Sequence, residues 1–172
     1  MGDSKINKPK PSNVGKPAAR KKARKFLLQA MYQWHITKTP INELEKQFRT
    51  DFDMKKADIE YFHDVLHGIP KYVTELDKYI EPYLERRVDE LDPIELSVFR
   101  IAVYELTQRV DVPYKVVINE AIELAKLFGA TDSHKYVNGV LDKLAQKLRV
   151  MEFKKKGKDS PEAPPSKQEP SK

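Results

Sequence analysis

The 172-residue sequence predicts an all-α fold, a compact bundle of about seven helices, on three observations. Apolar residues recur at spacings of three and four through most of the chain, which places them on one face of successive helices. Prolines and a glycine punctuate these periodic stretches where helices begin and end. No segment alternates apolar and polar residues as a half-buried strand does.

Taken in order, residues 1–16 hold four lysines, two prolines and two glycines. Such a segment buries too little surface to offset its ordering entropy and is expected to be a disordered basic extension. Pro17 then opens a first helix whose apolar face is Ala23, Phe26, Leu27, Ala30, Met31 and Trp34. Thr39 and Pro40 restart the chain as a short helix carrying Ile41, Leu44 and Phe48, ending before residues 50–53. A third helical region is expected from about Met54, with Tyr61, Phe62, Val65, Leu66 and Ile69 on its apolar side. Pro70 removes a helical hydrogen bond and clashes with the preceding turn, so a bend belongs there.

Asp92, Pro93 and Glu95 form a helix start, with a capping carboxylate, proline at the first position and an acid three residues after the cap. The run that follows is apolar on nearly every side, which puts this helix in the middle of the bundle. Pro113 starts the next helix, along which Val117, Ala121, Ile122, Ala125 and Phe128 recur. Gly129 is expected to adopt a left-handed C-terminal cap. Thr131 or Asp132 then caps a helix striped with Tyr136, Val137, Val140, Leu141, Leu144 and Leu148. Residues 151–172 read as a flexible Lys- and Pro-rich tail.

Charge divides unevenly along this plan. Residues 1–25 carry nine bases and one acid, whereas residues 26–150 carry 17 bases and 21 acids. Arg20, Lys21, Lys22, Arg24 and Lys25 crowd the first turns of a helix, where each cation opposes the macrodipole by a few tenths to about 1 kcal/mol. Helix stability does not favour that placement; an anionic polymer partner does. Nucleic acid suits it better than a membrane surface, because the segment starts without a bulky apolar face. No apolar run is long enough to cross a bilayer and no N-terminal apolar region marks secretion, so a soluble, cytoplasmic protein is expected.

Zero cysteines remove disulfides, thiolate nucleophiles and cysteine metal sites together. No Gly-rich phosphate loop or GxSxG elbow occurs, and His35 and His134 lack Ser or Cys partners, so neither catalysis nor a cofactor is expected. His63 and His67 lie one turn apart, but the zincin pattern needs Glu directly after its first His, and the sequence offers no evident third ligand. An exposed polar helix face is the expected role of this pair. The aromatics suit nucleic acid better: Tyr32 lies on the basic helix, and Phe128 and Tyr136 flank the Gly129 turn. Single-stranded RNA is held by cations along its phosphates and by rings that stack on unpaired bases.

Three stretches together resemble the NusB family of bacterial transcription antitermination factors: PAARKKARKFLLQAMYQW, FRIAVYEL and DVPYKVVINEAIELAKLFGATDSHKYVNGVLDK. The resemblance covers about residues 17–150. It implies two packed helical subdomains, about 17–88 and 89–150, and an RNA-binding role in transcription antitermination. The implied target is boxA RNA in nascent transcripts, notably of rRNA operons, recognised with NusE, a protein of the small ribosomal subunit, to support an elongating RNA polymerase complex. The resemblance leaves room for a homodimer on the face that NusE would cover, and for a rival role in ribosome assembly on rRNA leaders. It implies that Arg20, Lys21, Lys22 and Arg24 contact the RNA backbone and that Tyr32 contacts RNA. Phe128, Asp132, Ser133, Lys135 and Tyr136 match a second RNA-facing segment, and Glu95 an acidic position near that surface. Lysines stand here at several family arginines, which keeps the charge but loses bidentate phosphate recognition. On this reading the first helix supplies affinity and the Gly129 turn with the next helix supplies base selection.

Overall fold

The computed structural model describes residues 13–159, with side chains described as far as Lys154. Seven α-helices occur among the described residues: α1 Pro17–Thr37, α2 Ile41–Asp51, α3 Ile59–Ile80, α4 Pro93–Gln108, α5 Tyr114–Phe128, α6 Ser133–Leu148 and α7 Val150–Asp159. Two 3-10 turns, Glu81–Tyr83 and Val88–Glu90, connect α3 to α4, and no strand is present among the described residues.

The all-round apolar character of α4 has the expected consequence. Every residue from Leu96 to Leu106 is buried, and the helix packs against α1, α3, α5 and α6. Phe62 and Leu66 of α3, Leu27 and Met31 of α1, Leu141 and Leu144 of α6, and Phe99 and Val103 of α4 meet in one core. Each such side chain contributes roughly 1.5–3 kcal/mol by leaving water. Asp92 starts α4 as its sequence requires, its Oδ1 accepting from the backbone N–H groups of Ile94 at 2.8 Å and Glu95 at 3.3 Å. Gly68 lets α3 approach α4 closely, since a Cβ there would lie 2.3 Å from the Tyr104 ring. The bend near Pro70 is present, with Tyr72 leaving helical geometry at φ −112°, ψ 16°.

Several boundaries differ from the sequence reading, each for a local reason. α3 begins at Ile59 rather than near Met54, because Asp58 is its cap and is wholly buried. The Asp58 carboxylate accepts from Tyr61 N–H at 3.0 Å, Gly15 N–H at 2.8 Å and Arg20 Nε at 3.3 Å. That same carboxylate orders residues 13–16, assigned by composition to the extension, and Asn13 Nδ2 donates to the Lys55 carbonyl at 2.9 Å. Residues 1–12 of the expected extension lie outside the described residues. At the other end, residues 150–159 are helical rather than the start of a tail, because Phe153 stacks on Tyr114 at 4.3 Å and Glu152 accepts from Tyr114 N–H at 3.1 Å. Residues 160–172 lie outside the described residues. α2 runs two residues past its expected end, to Asp51, and Pro113 caps α5 from just outside it.

Buried charge holds the helices in register. Arg24 of α1 is 2% exposed and its Nε donates to Glu105 of α4 at 2.8 Å. Near the C-terminal end of α6, buried Arg149 donates to the carbonyls of Leu106, Val112, Glu105 and Arg109 and also to Glu152. Arg149 thereby satisfies carbonyls at the end of α4, where the helix itself supplies no donors.

Removing one partner of a buried pair strands the other charge. Arg24→Ala is therefore expected to lower stability by about 3–5 kcal/mol, read from urea unfolding. Gly68→Ala drives a methyl into the Tyr104 ring, and its cost is expected at about 1–3 kcal/mol in the same assay. A variant as stable as wild type would contradict the packing described for either position.

Candidate nucleic-acid interface

The first helix separates its cations by chemistry. Arg20 and Arg24 fall on the inward stripe with Leu27 and Met31, at i, i+4, i+7 and i+11. Their guanidinium groups sit 5.5 and 5.2 Å from the centroid of the buried Tyr61 ring, and Arg109 approaches the same ring at 5.5 Å. Arg20 also pairs with Asp58 at 3.3 Å and with Asp111 at 3.1 Å. Burial pushes the Asp111 carboxyl up, but Arg109 and Arg20 outweigh it and hold the group below its ordinary value. These pairings correct the expected set of phosphate contacts. Arg24 is sealed in the core, and Arg20 is committed to two carboxylates with only 14% of its side chain exposed.

The lysines point outward. Lys21 and Lys25 are exposed and Lys22 is half-buried at the surface. Lys21, Lys25, Gln29 and Tyr32 fall one or two turns apart along one outer stripe of α1. Phe128, the last residue of α5, meets this stripe: Ala18, Lys21, Lys22, Lys25, Phe26, Gln29 and Phe128 line one depression. Phe128 and Gln29 also belong to an adjoining groove of about 500 Å³, with Tyr32, Ile36, Phe48, Phe52 and Ile94 among its walls. On the other flank Lys21 and Lys25 share a hollow with Lys126, Leu127, Glu120 and Glu123. Lys21 lies 3.8 Å from half-buried Glu120, a weak pair at the surface. Lys25, Gln29 and Lys126 are surface members outside the sequence-derived set. The i+4 spacing of Lys25 from Lys21 was the available signal, and Lys126 had none.

The segment after Gly129 is arranged differently from the expectation. Gly129 is extended, at φ −88°, ψ 174°, and does not form a left-handed cap. Its lack of a side chain matters for space, since a Cβ would lie 2.7 Å from the Ala125 carbonyl oxygen and 3.1 Å from Ser133 Oγ. The left-handed residue is Asp132, at φ 67°, which precedes α6 without a capping hydrogen bond from its side chain. Asp132 is exposed and pairs with exposed Lys135 at 3.2 Å. Ser133 is buried, and Tyr136 packs edge-on against Phe99 at 5.9 Å with its hydroxyl buried. Ser133 is thus withdrawn from the surface, which corrects its expected role, whereas the Tyr136 ring is half-buried, as Phe128 is. Glu95, near Ser133, has its carboxyl pushed above the ordinary range by burial and then by Asp92. The structure thus brings Lys21, Lys22, Tyr32 and Phe128 to one continuous surface, leaves Asp132 and Lys135 exposed at the start of α6, turns Arg24 and Ser133 inward, and holds Tyr136 half-buried against Phe99.

The left-handed geometry at Asp132 generates a prediction. Asn adopts that conformation readily, so Asp132→Asn is expected to change thermal stability by less than about 0.5 kcal/mol. Asp132→Ala is expected to cost about 1–2 kcal/mol, because alanine is strained there. Equal Tm values for the two variants would refute the assignment.

Comparison with known proteins adds an independent line. The NusB family profile matches residues 21–146. Transcription antitermination protein NusB of Pseudomonas fluorescens strain Pf-5 is 56% identical over 149 residues, which cover 85% of this chain and 90% of that protein. A solved structure of T. maritima NusB superposes with a TM-score of 0.67 at 31% identity, covering 78% of this chain and 96% of that one. The solution structure of NusB from Aquifex aeolicus gives a TM-score of 0.65 at 25% identity, over 88% and 99% of the two chains.

Proposed function

Since this chain belongs to the NusB family, whose named relatives are transcription antitermination proteins, we propose that it is a cytoplasmic, non-catalytic RNA-binding factor. With NusE it recognises boxA RNA in nascent transcripts, notably of rRNA operons, and supports processive elongation by RNA polymerase. The observation that carries this reading is the continuous outer surface of α1, where Lys21, Lys22 and Lys25 run into Gln29, Tyr32 and Phe128. Cations for phosphates lie beside two partly exposed rings, the combination that binds single-stranded RNA without requiring a duplex groove.

The buried arginines redistribute the roles within the site. Phosphate affinity comes from Lys21, Lys22, Lys25 and Lys126, each a compact point charge that neutralises a phosphate without fixing its orientation. Base contacts come from Tyr32 and Phe128, with Asp132 and Lys135 at the edge contributed by residues 89–150. Arg20 and Arg24 act one step removed. By pairing with Asp58, Asp111 and Glu105 they set the rotation of α1 that turns the lysines outward.

Four phosphate contacts give a log–log salt dependence of slope roughly −3 for single-stranded RNA. Lys21→Ala/Lys22→Ala/Lys25→Ala is expected to bring that slope to roughly −1 and to weaken boxA and scrambled RNA alike, measured by fluorescence anisotropy at several salt concentrations with and without NusE. Tyr32→Ala and Phe128→Ala are expected to weaken boxA binding more than scrambled binding while leaving the slope in place. A flat salt dependence of the wild-type protein, or no preference for boxA even with NusE, would overturn the proposal.

A further inference from the structure

α2 and α3 together build a feature that neither helix displays alone. His63 and His67 occupy successive turns of α3 with ring centroids 4.2 Å apart, and Glu45 of α2 reaches across to both. His63 Nδ1 lies 2.8 Å from Glu45 Oε2 and 3.0 Å from Oε1, and His67 Nε2 lies 3.3 Å from Oε1. One nitrogen from each ring and a carboxylate oxygen all fall within 4.8 Å of one another. We propose that Glu45, His63 and His67 form a site for a divalent transition cation of the zinc class, which clamps α2 to α3.

The geometry suits that ion. Four-coordinate zinc holds nitrogen and oxygen ligands at about 2.0–2.1 Å, which separates tetrahedral ligand atoms by about 3.3 Å. The nitrogen–oxygen separations of 2.8–3.3 Å lie at or just below that value, so small side-chain rotations admit the ion. Two imidazoles and one carboxylate favour zinc, nickel or copper over magnesium or calcium, which take oxygen ligands. Binding puts the cation where the ring nitrogens and the carboxylate now hydrogen-bond, and a neutral imidazole that ligates through one nitrogen carries its proton on the other. Asp64, beside His63 in sequence, is not a ligand, because it accepts from Tyr104 Oη at 3.0 Å and from Arg109 at 3.3 Å. The fourth position is open to water, since the His63 side chain is 54% exposed and both histidines border a cleft shared with Lys71 and Gln108. Arg49 reaches Glu45 at 3.6 Å from the next turn of α2 and serves as its counter-ion without metal.

The clamp bears on the outer surface of the molecule. α2 packs on α1 and α3, and its Gln47, Phe48 and Asp51 form one wall of the groove that also holds Tyr32 and Phe128. A metal bridge to α3 holds that wall in place.

The test uses the full chain without an affinity tag, stripped with a chelator. Titration calorimetry with zinc chloride is expected to show one strong site per chain with micromolar or tighter Kd, and zinc is expected to raise Tm reversibly while magnesium does not. His63→Ala, His67→Ala and Glu45→Gln should each weaken zinc binding at least tenfold, whereas His35→Ala and His134→Ala should leave it unchanged. Circular dichroism monitors folding, and zinc-edge X-ray absorption of the wild-type protein provides a readout independent of any variant. Two imidazole ligands in that spectrum support the site. Dissociation constants in the millimolar range, binding unaltered in the α2 and α3 variants, or an absorption spectrum without imidazole ligation would overturn it.

Discussion

Arg24 of α1 and Glu105 of α4 form a buried ion pair at 2.8 Å. It joins the first helix to the central one at a depth where neither charge reaches water, so geometry has little freedom. Charges taken out of water are tolerated only when paired and hydrogen-bonded; Glu105 accepts from Arg24 Nε, and Glu120 lies 4.0 Å from Arg24 Nη1. Arg20 and Arg109, gathered with Arg24 around the Tyr61 ring, extend the same logic through Asp58, Asp111 and Asp64. Together they fix α1 in rotation as well as in position.

Rotation decides function here because an α-helix shows different residues every 100°. With Arg20 and Arg24 turned inward, Lys21, Lys25, Gln29 and Tyr32 necessarily turn outward. Guanidinium groups suit the inner role, being planar, weakly hydrated and able to stack on a ring, while ammonium groups resist leaving water. The basic run on the first helix therefore serves two ends. Half of it stabilises the bundle from within, which answers why cations crowd a helix N-terminus despite the macrodipole, and half leaves a basic stripe facing outward. That stripe lies beside Phe128 because α1 and α5 both pack on α4 and meet each other.

The opposite pattern appears after Gly129. There the exposed residues are charged ones, Asp132 and Lys135, and the half-buried ring of Tyr136 packs edge-on against Phe99. Gly129 itself is present because the α5–α6 turn is too tight for a side chain beside the Ala125 carbonyl and Ser133. The turn thus owes its shape to crowding at the glycine and to a left-handed aspartate, two causes that a capping rule does not separate.

Helical periodicity by itself determined the all-α class, the central place of α4, the Asp92 cap and the bend at Pro70, because each depends on residues within a turn or two of one another. The three quoted stretches likewise determined the family, whereas the basic run of α1 read as one group, with no sign of which cations turn outward. Only the tertiary structure decided which cations are free. The carboxylates that claim Arg20 and Arg24 lie 38 to 91 residues away along the chain, at Asp58, Glu105 and Asp111, and nothing local announces the pairing. The same reason hid Glu45 as the companion of His63 and His67, and the burial of Ser133. Periodicity reports which face a residue shares with its own helix, whereas charge pairing and exposure are properties of what the neighbouring helices bring to that face.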